Sequence, residues 1–130
     1  RTGRDLTLVT WGGMLPRTLE AAGQLATQGI EAEVLDLRSL RPLDEQRLVE
    51  SVRRTRRAVI VDEAWKTAGF SAEVSARIME GALYELDAPV ARVCGAEVPM
   101  PYAAHLEAAA LPSTAGIVAA ARGLVKGAAP

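Results

Sequence analysis

Cysteine, histidine and aromatic residues are scarce in this sequence of 130 residues. The single cysteine, Cys94, excludes an internal disulfide and fits a reducing compartment. With His105 as the single histidine, the chain has too few ligands for a zinc site built from His and Cys. A nucleophile–histidine set would need His105, with Cys94 as one candidate nucleophile, but Cys94 ends an apolar strand, where a small buried residue is usual. A self-contained catalytic site is therefore not expected.

The chain also lacks a strong net charge and a long apolar run. Its net charge of -1 gives no reason to expect nucleic acid as a partner, and an aromatic content of 4% is too low for base stacking. No apolar run approaches the roughly 20 residues of a membrane span. Residues 1–5 have no apolar core of the kind that signal peptides contain. We therefore expect a cytoplasmic protein with no nucleic-acid or membrane partner.

What the sequence does contain is a regular alternation of predicted strands and helices. Hydrophobic residues make up 49% of the chain and charged residues 24%, which is typical of a globular protein. The alternation favours a parallel sheet covered on both faces, in one domain over residues 1–130. Residues 128–130 are expected to fray. The predicted strands are residues 6–10, 30–37, 58–61 and 90–94, and the predicted helices are about 14 to the Gly29 cap, 44–55, 71–86, 104–110 and 113–125. Asp44 and Ser113 are predicted to cap the amino ends of their helices.

Two charged segments receive simple structural interpretations. In the second strand, Glu31 and Glu33 alternate with apolar residues, so part of the strand is predicted to face water. The basic run over residues 53–57 closes the second helix, where positive charge favours the negative end of the helix dipole. We interpret this run as a solvated helix end.

The organising stretch of the chain is residues 57–73. Four apolar residues form a buried strand, and Asp62 and Glu63 follow at its carboxyl end. Adjacent residues of an extended segment point to opposite sides, so this pair is poorly placed for acid/base catalysis on one substrate. One of the two could cap amides of the next loop or bind a partner's cation. Ser71 is predicted to cap the following helix.

A glycine pair follows the first strand but does not match a nucleotide-binding fingerprint. Gly12 and Gly13 are adjacent and Pro16 stands where a third glycine would be needed, so neither G-x-G-x-x-G nor the P-loop pattern is present. We interpret this segment as a tight turn that lets strand and helix pack closely.

Several short segments, taken in their order along the chain, form a recognisable set. They are DLTLVTWG (5–12), AEVLDLRSLRPLD (32–44), DEA (62–64), AGFSAE (68–73), APVARV (88–93), PMPY (99–102), LE (106–107) and LPS (111–113). Together they resemble the C-terminal domain of the transketolase family, in particular that of the β subunit of 2-oxo acid dehydrogenase E1 (pyruvate or branched-chain). One departure is Ala68, where the family commonly has a second glycine.

The resemblance implies a fold and a place in a larger enzyme. It implies a three-layer α/β/α sandwich with strand order 2-1-3-4 and a possible extra antiparallel edge strand. It also implies that the chain is a fragment of a longer E1 β subunit. The whole enzyme decarboxylates a 2-oxo acid on thiamine diphosphate, with magnesium, and acylates the lipoyl group of E2. Those cofactors are held by preceding domain types, so this domain is expected to bind none.

The implied partners are the E1 α subunit or preceding E1 domains, a second E1 β subunit, and the small subunit-binding domain of E2. Because that E2 domain is typically basic, an acidic acceptor is expected. Asp87, before the Ala88-Pro89 turn, is the first candidate and Glu85 the second. The residues predicted to contact partners are Asp62, Glu63, Gly69, Phe70, Glu85 and Asp87.

The implied strand order places the turn at Gly12 and the loop at Gly69 on either side of one crevice, where ligands meet open α/β sheets. In this family we expect the crevice to serve subunit contacts. The alternative is a stand-alone small-ligand or regulatory module that binds at the crevice beside Gly12 and Gly69.

Overall fold

Four parallel strands form one sheet, in which the second strand of the chain lies at one edge and is followed across the sheet by the first, the third and the fourth. The computed structural model describes residues 1–127, so the predicted fraying of residues 128–130 lies outside the described part. The strand order implied by the family resemblance is confirmed. The strands are β1 (Leu6–Thr10), β2 (Ala32–Asp36), β3 (Ala58–Trp65) and β4 (Ala91–Gly95).

Helices cover both faces of the sheet, which confirms the three-layer α/β/α architecture. One apolar core lies between the sheet and the helices of residues 15–26 and 114–125, and a second lies between the sheet and the helices of residues 45–55 and 70–82. Both faces of β1 are buried, which explains its continuous apolar and β-branched sequence. The helices are α1 (Leu15–Ala26), α2 (Glu45–Thr55), α3 (Phe70–Ala82), α4 (Ala104–Ala110) and α5 (Thr114–Val125), with 3-10 turns at Gly12–Met14 and Leu83–Glu85.

Two of the three predicted helix N-caps are confirmed. Asp44 accepts a hydrogen bond from the Arg47 amide at 3.0 Å, and Ser113 accepts one from the Gly116 amide at 3.1 Å. The predicted Ser71 cap is wrong, because α3 begins at Phe70 and Gly69 is its N-cap residue. Ser71 is instead buried within the first turn of α3.

The first residues of the chain run antiparallel to the outer edge of β2. Arg1 and Val34 exchange backbone hydrogen bonds, with distances of 2.9 Å from the Val34 amide and 3.3 Å from the Arg1 amino group. Farther along, the Arg4 amide donates to the Glu31 carbonyl at 2.9 Å. Reciprocal bonds between opposite residues are the antiparallel pattern. This short pairing fits the possible extra edge strand that the resemblance implies.

The prediction that Glu33 faces water is wrong. Its residue surface is only 3% exposed, and its carboxylate accepts a hydrogen bond from Ser51 Oγ at 2.7 Å and forms an ion pair with Arg54. Ser51 Oγ lies 2.9 Å from Thr7 Oγ1, which lies 2.7 Å from Thr55 Oγ1. This network, which we call the Glu33 network, joins β2, β1 and α2 at the amino end of the sheet.

The stretch Ala104–Val125 is long and apolar enough, by length and composition alone, for a membrane-spanning helix. The structure divides it into two helices, because Pro112 interrupts the stretch between α4 and α5. The second helix packs into the core of the domain, burying Ile117, Val118, Ala121 and Leu124.

Candidate functional site

The carboxyl ends of β1 and β3 meet at the point where the chain's winding direction reverses. The 3-10 turn at Gly12–Met14 leads from β1 directly into α1, and the loop after β3 leads into α3. Gly12 has φ 58°, a left-handed conformation that favours glycine. The tight turn predicted for Gly12 and Gly13 is confirmed, and it forms one wall of the expected crevice.

Asp62 lies inside this loop and shapes it. Its residue surface is 2% exposed. One carboxylate oxygen accepts the Ala64 amide at 3.0 Å and the other accepts the Ser71 amide at 3.3 Å. Of the two roles left open for the carboxylates, this geometry supports capping for Asp62. Its contact with a partner stays a prediction that these contacts do not favour.

Two small residues let the loop close on itself. A Cβ atom on Gly69 would overlap the Trp65 carbonyl oxygen, so only glycine fits the close approach. Ala68 has φ 55°, in the left-handed region that L-residues adopt at a cost. That conformation gives a physical reason for the glycine that the family commonly has at this position.

Glu63 is exposed on the loop after β3, and its carboxylate points across the crevice to the turn at Gly12 and Gly13. A Cβ on Gly13 would lie 2.7 Å from Glu63 Oε2, so the carboxylate rests against the glycine turn. The positive end of the α1 dipole favours a negative charge there. Because Glu63 already supplies that charge, an anionic ligand at Gly12 would meet electrostatic repulsion. The small-ligand alternative therefore has little support at this point.

Phe70 packs within the domain against Trp11. The two rings are 5.7 Å apart between centroids and meet at 87°, an edge-to-face arrangement. Beside Phe70 lies an open groove of about 490 Å³. Its lining mixes both charge signs with apolar residues, namely Leu40, Arg41, Leu43, Glu45, Glu73 and Arg77.

An exposed apolar surface lies beside the loop, and sequence reasoning missed it. Trp65 is 50% exposed, and its Nε1 donates to the Val98 carbonyl at 3.2 Å. Residues 98–106 carry four more large apolar side chains at the surface. The sequence signal for this surface was the set of apolar residues around the two spaced prolines, Pro99 and Pro101. We call the set the carboxyl-edge patch, and it consists of Trp65, Val98, Met100, Tyr102 and Leu106.

A hydrogen bond holds this surface in place. The Thr67 amide donates to Glu97 Oε1 at 2.9 Å, and hydrogen bonds from Thr67 keep the pKa of Glu97 below its ordinary value. The loop after β3 and the loop after β4 are thereby joined.

The remaining predicted site residues lie at the opposite end of the sheet. Asp87 and Glu85 precede β4, whereas Asp62, Glu63 and Gly69 follow the buried part of β3. The structure therefore does not gather the predicted partner-contacting residues into one site. It separates them into a carboxyl-edge group and an amino-edge group.

Asp87 is neutralised by two arginines of its own chain. Arg56 donates to one carboxylate oxygen through Nε at 2.9 Å and Nη2 at 2.8 Å, and Arg57 lies 3.4 Å from the other oxygen. Hydrogen bonding and charge from Arg56 hold the pKa of Asp87 below its ordinary range. Glu85 pairs with Arg53 at 3.4 Å.

These contacts add to the interpretation of the basic run as a solvated helix end, because Arg53, Arg54 and Arg56 are exposed at the end of α2 but each also has an ion-pair partner. Arg53 also donates to the Gly81 carbonyl, at 3.0 Å and 2.6 Å, and Arg54 belongs to the Glu33 network. Each of these arginines links α2 to another element. Sequence spacing could not show this, because the partners lie 21 to 32 residues away.

An apolar groove of about 390 Å³ adjoins Asp87. Tyr84, in the 3-10 turn before it, is 95% exposed. The groove and Tyr84 together form the amino-edge surface, whose lining residues are Met79, Leu83, Leu86, Asp87, Ala88 and Pro89.

Cys94 and His105, which a cysteine–histidine catalytic pair would need, lie on different elements, β4 and α4. Cys94 Sγ lies 3.4 Å from Ser71 Oγ, and His105 is on the exposed surface of α4. Within residues 1–127, no three His, Cys, Asp or Glu side chains are grouped as a metal site requires.

Comparison with known proteins gives consistent matches along the chain. The family model described as transketolase, C-terminal domain, matches residues 1–117. A pyruvate dehydrogenase E1 component subunit beta of Dictyostelium discoideum is 48% identical over 122 residues, 94% of this chain and 34% of that protein. The Drosophila melanogaster counterpart is 50% identical over 92% of this chain and 33% of its own length.

A relative with a different described activity and a solved structure also match nearly the whole of this chain. The beta subunit of an acetoin:2,6-dichlorophenolindophenol oxidoreductase of Cupriavidus necator is 45% identical over 98% of this chain and 38% of its own length. A structure described as a split gene transketolase, inactive beta4 tetramer, is 31% identical with a TM-score of 0.77, covering 97% of this chain and 40% of that chain. This chain thus spans about a third of the length of the curated relatives it matches.

Proposed function

Because this chain belongs to the transketolase C-terminal domain family, we propose that it is the subunit-assembly and E2-docking domain of a 2-oxo acid dehydrogenase E1 β subunit. The whole enzyme would use thiamine diphosphate to decarboxylate a 2-oxo acid oxidatively and would acylate the lipoyl group of E2. The observation that carries the proposal is the 48% identity to an E1 β subunit over 94% of the chain.

The residues of this chain do not fit a role in holding thiamine diphosphate. A diphosphate at the Gly12 turn would meet the Glu63 carboxylate, and Asp62 uses both oxygens on backbone amides. The cofactor and its magnesium are therefore assigned to other parts of the enzyme. We assign this domain no catalytic step.

The carboxyl-edge patch supports the assembly role. Five large apolar side chains are exposed there, between 44% for Val98 and full exposure for Tyr102. Apolar clusters of this kind mark surfaces that partners cover. The related split gene transketolase is described as a tetramer of β chains, which favours self-association. We propose E1 α, or the domains that precede this one, and a second β subunit as the partners here.

The amino-edge surface is the proposed E2 contact. Three arginines and two carboxylates meet there, so Asp87 does not offer a free negative charge to a basic partner. The neighbouring apolar groove and Tyr84 offer contacts that do not depend on charge, and buried aromatic anchors often dominate interfaces. Asp87 and Glu85 remain candidate contacts in the polar rim of the proposed E2 interface.

The substrate class has a second candidate. A relative at 45% identity is described as an acetoin oxidoreductase subunit, so acetoin is a possible substrate of the whole enzyme. Assays of the purified complete enzyme with acetoin and with pyruvate would separate the two. Turnover of acetoin alone would remove the 2-oxo acid assignment while leaving the family unchanged.

Calorimetric titration with an E2 subunit-binding domain tests the docking role. We expect Tyr84→Ala and Asp87→Ala each to weaken binding several-fold. The first removes an exposed aromatic anchor, and the second leaves Arg56 and Arg57 without their carboxylate, so that they repel a basic partner. Glu31→Ala, a carboxylate at the far edge of the sheet, is the matched control and should leave affinity unchanged. If Asp87→Ala binds as tightly as the unaltered chain, Asp87 is not part of the E2 contact. If the unaltered chain does not bind the E2 domain at all, the docking role is contradicted.

Sedimentation analysis tests the assembly role. We expect Met100→Ser/Tyr102→Ser to shift the β-subunit assembly toward smaller species, because it makes the carboxyl-edge patch polar. Leu19→Ser is the control, since Leu19 is 42% exposed on α1, away from the patch. An unchanged distribution for the double variant would show that assembly uses another surface.

A further inference from the structure

A groove runs along the outer edge of β4, and its ends adjoin the two surfaces described above, since Lys66 follows Trp65 and Val90 follows Pro89. Its volume is about 560 Å³, and it lies between β4 and α5. β4 is the last strand of the sheet on this side, so its outer backbone groups have no strand partner within residues 1–127. Unpaired edges of this kind are templates for an added strand. The groove is lined by Lys66, Val90, Ala91, Arg92, Ala119, Ala120 and Gly123.

The floor of the groove is made of small side chains. Ala119, Ala120 and Gly123 face β4 from α5, where larger residues would fill the space beside the strand. An added strand lies about 4.8 Å from its neighbour and needs such clearance for its own backbone. The groove therefore combines an open hydrogen-bonding edge with room for an extended chain.

The charge of the groove indicates the chemistry of its occupant. Neither Lys66 nor Arg92 forms a salt bridge within the described residues, whereas the arginines over residues 53–57 are all paired. Arg92 Nη1 donates to the Lys66 carbonyl at 3.0 Å, which keeps the two cationic residues close together. Lys126 lies three residues after Gly123, on the same side of α5 and close to its end.

We propose that this groove binds an extended acidic peptide segment, which adds a strand to the outer edge of β4 and pairs its carboxylates with Lys66 and Arg92. Main-chain hydrogen bonds supply affinity in such an arrangement, and the side-chain pairs supply specificity. The site is distinct from the proposed E2 contact, because it selects an acidic partner where the subunit-binding domain is basic.

Amide NMR spectra of the labelled 130-residue chain test the proposal. The probe is an acetylated peptide of about six residues, an ordinary strand length, that alternates glutamate and valine. We expect shifts confined to residues 90–94, 119–126 and the neighbourhood of Lys66. Lys66→Glu/Arg92→Glu should weaken binding about tenfold at low ionic strength.

Two controls separate strand addition from simple attraction of charge. Arg41→Glu/Arg47→Glu makes the same change in net charge away from β4 and should bind the peptide normally. A probe with its alternate amides methylated keeps every carboxylate but cannot complete a strand ladder, so it should bind at least tenfold more weakly.

Four results would overturn the proposal. They are absence of shifts at β4, equal binding of a lysine–valine probe, equal binding of the methylated probe, and displacement by inorganic phosphate with the same shifts, which would indicate a simple anion site. Spectra of each variant without peptide verify that it is folded, so a loss of binding can be assigned to the groove. E2 titrations are independent of all these outcomes.

Discussion

Two carboxylates are buried at opposite ends of the same sheet, and their surroundings differ in kind. Asp62, at the carboxyl end, is held by backbone amides of the loop that follows it in sequence. Glu33, at the amino end, is held by Ser51 and Arg54 from a helix that packs against it. The first carboxylate shapes a local loop, whereas the second joins separate elements.

The difference shows how the two ends of the domain are used. Around Asp62, backbone polar groups are satisfied internally while Trp65 and the loop after β4 expose apolar side chains. Around Glu33, charged and hydroxyl groups are satisfied by each other and nothing large and apolar is left outward on β2 within residues 1–127. The carboxyl end of the sheet therefore exposes an apolar surface that a partner can cover, whereas the amino end of β2 exposes no such surface among the described residues.

The strongest way to break the carboxyl-end loop is Gly69→Ala. The new Cβ would overlap the Trp65 carbonyl oxygen, so the loop must shift, and we expect a loss of about 3 kcal/mol in the free energy of unfolding. Urea denaturation measures this change. Gly23→Ala is the matched control, because nothing lies within 4 Å of its added Cβ in α1, and it should stabilise the protein by about 0.5–1 kcal/mol. Equal stability of the two variants would contradict the close approach.

Removing the loop's carboxylate is expected to be the next largest effect. Asp62→Ala leaves the amides of Ala64 and Ser71 without their acceptor, so we expect a loss of about 2–3 kcal/mol in denaturant unfolding. Glu63→Ala removes an exposed neighbour of the same charge and should change stability by less than about 0.5 kcal/mol. If both substitutions had the same effect, Asp62 would not be the residue that holds the loop.

At the amino end of the sheet, Glu33→Gln tests how much the charge of the buried Glu33 contributes to stability. It removes the charge but keeps the size, and we expect a loss of about 1–2 kcal/mol near pH 7, because Arg54 is half exposed and can turn to water. Glu31→Gln, a half-buried neighbour on the same edge whose carboxylate pairs with Arg1, should cost less than about 0.5 kcal/mol.

The same variant should alter the dependence of stability on acid. Burial raises the pKa of Glu33, but hydrogen bonds from Ser51 and Arg54 and the charge of Arg54 outweigh it, so the folded pKa lies below the ordinary value of 4.5. Stabilisation by Glu33 is therefore present above that ordinary value and is lost as pH falls through the folded pKa. Between about pH 5 and pH 3, the unaltered chain should lose more stability than Glu33→Gln. Parallel curves would show that Glu33 does not titrate in this way.

The smallest expected effect is a gain. Ala68→Gly relieves a left-handed alanine at φ 55°, and we expect stabilisation of up to about 1 kcal/mol, partly offset by greater freedom of the unfolded chain. Thermal unfolding measures it, with Ala72→Gly inside α3 as the destabilising control. Destabilisation of equal size by both glycines would contradict the left-handed conformation at Ala68.

Sequence reasoning located most elements and part of the candidate site. The alternation of apolar segments predicted each strand and helix, and the caps at Asp44 and Ser113 were correct, because these features involve residues a few positions apart. The strand order came from the family resemblance. The burial of Glu33 and the ion pairs of the arginines over residues 53–57 were missed, since their partners are supplied by packing between distant segments. The Ser71 cap was wrong because α3 begins one residue earlier.

The sequence by itself determined the α/β class, the tight turn at Gly12, the poor geometry of Asp62 and Glu63 for catalysis, and the family. Each of these depends on local periodicity, backbone preference or an ordered set of short motifs. Only the tertiary structure decided that Asp62 is buried, that Asp87 is neutralised, and that the predicted partner residues lie at opposite ends of the sheet. The physical reason is that burial and ion pairing arise when segments far apart in sequence pack together, and no local pattern records which segments will meet.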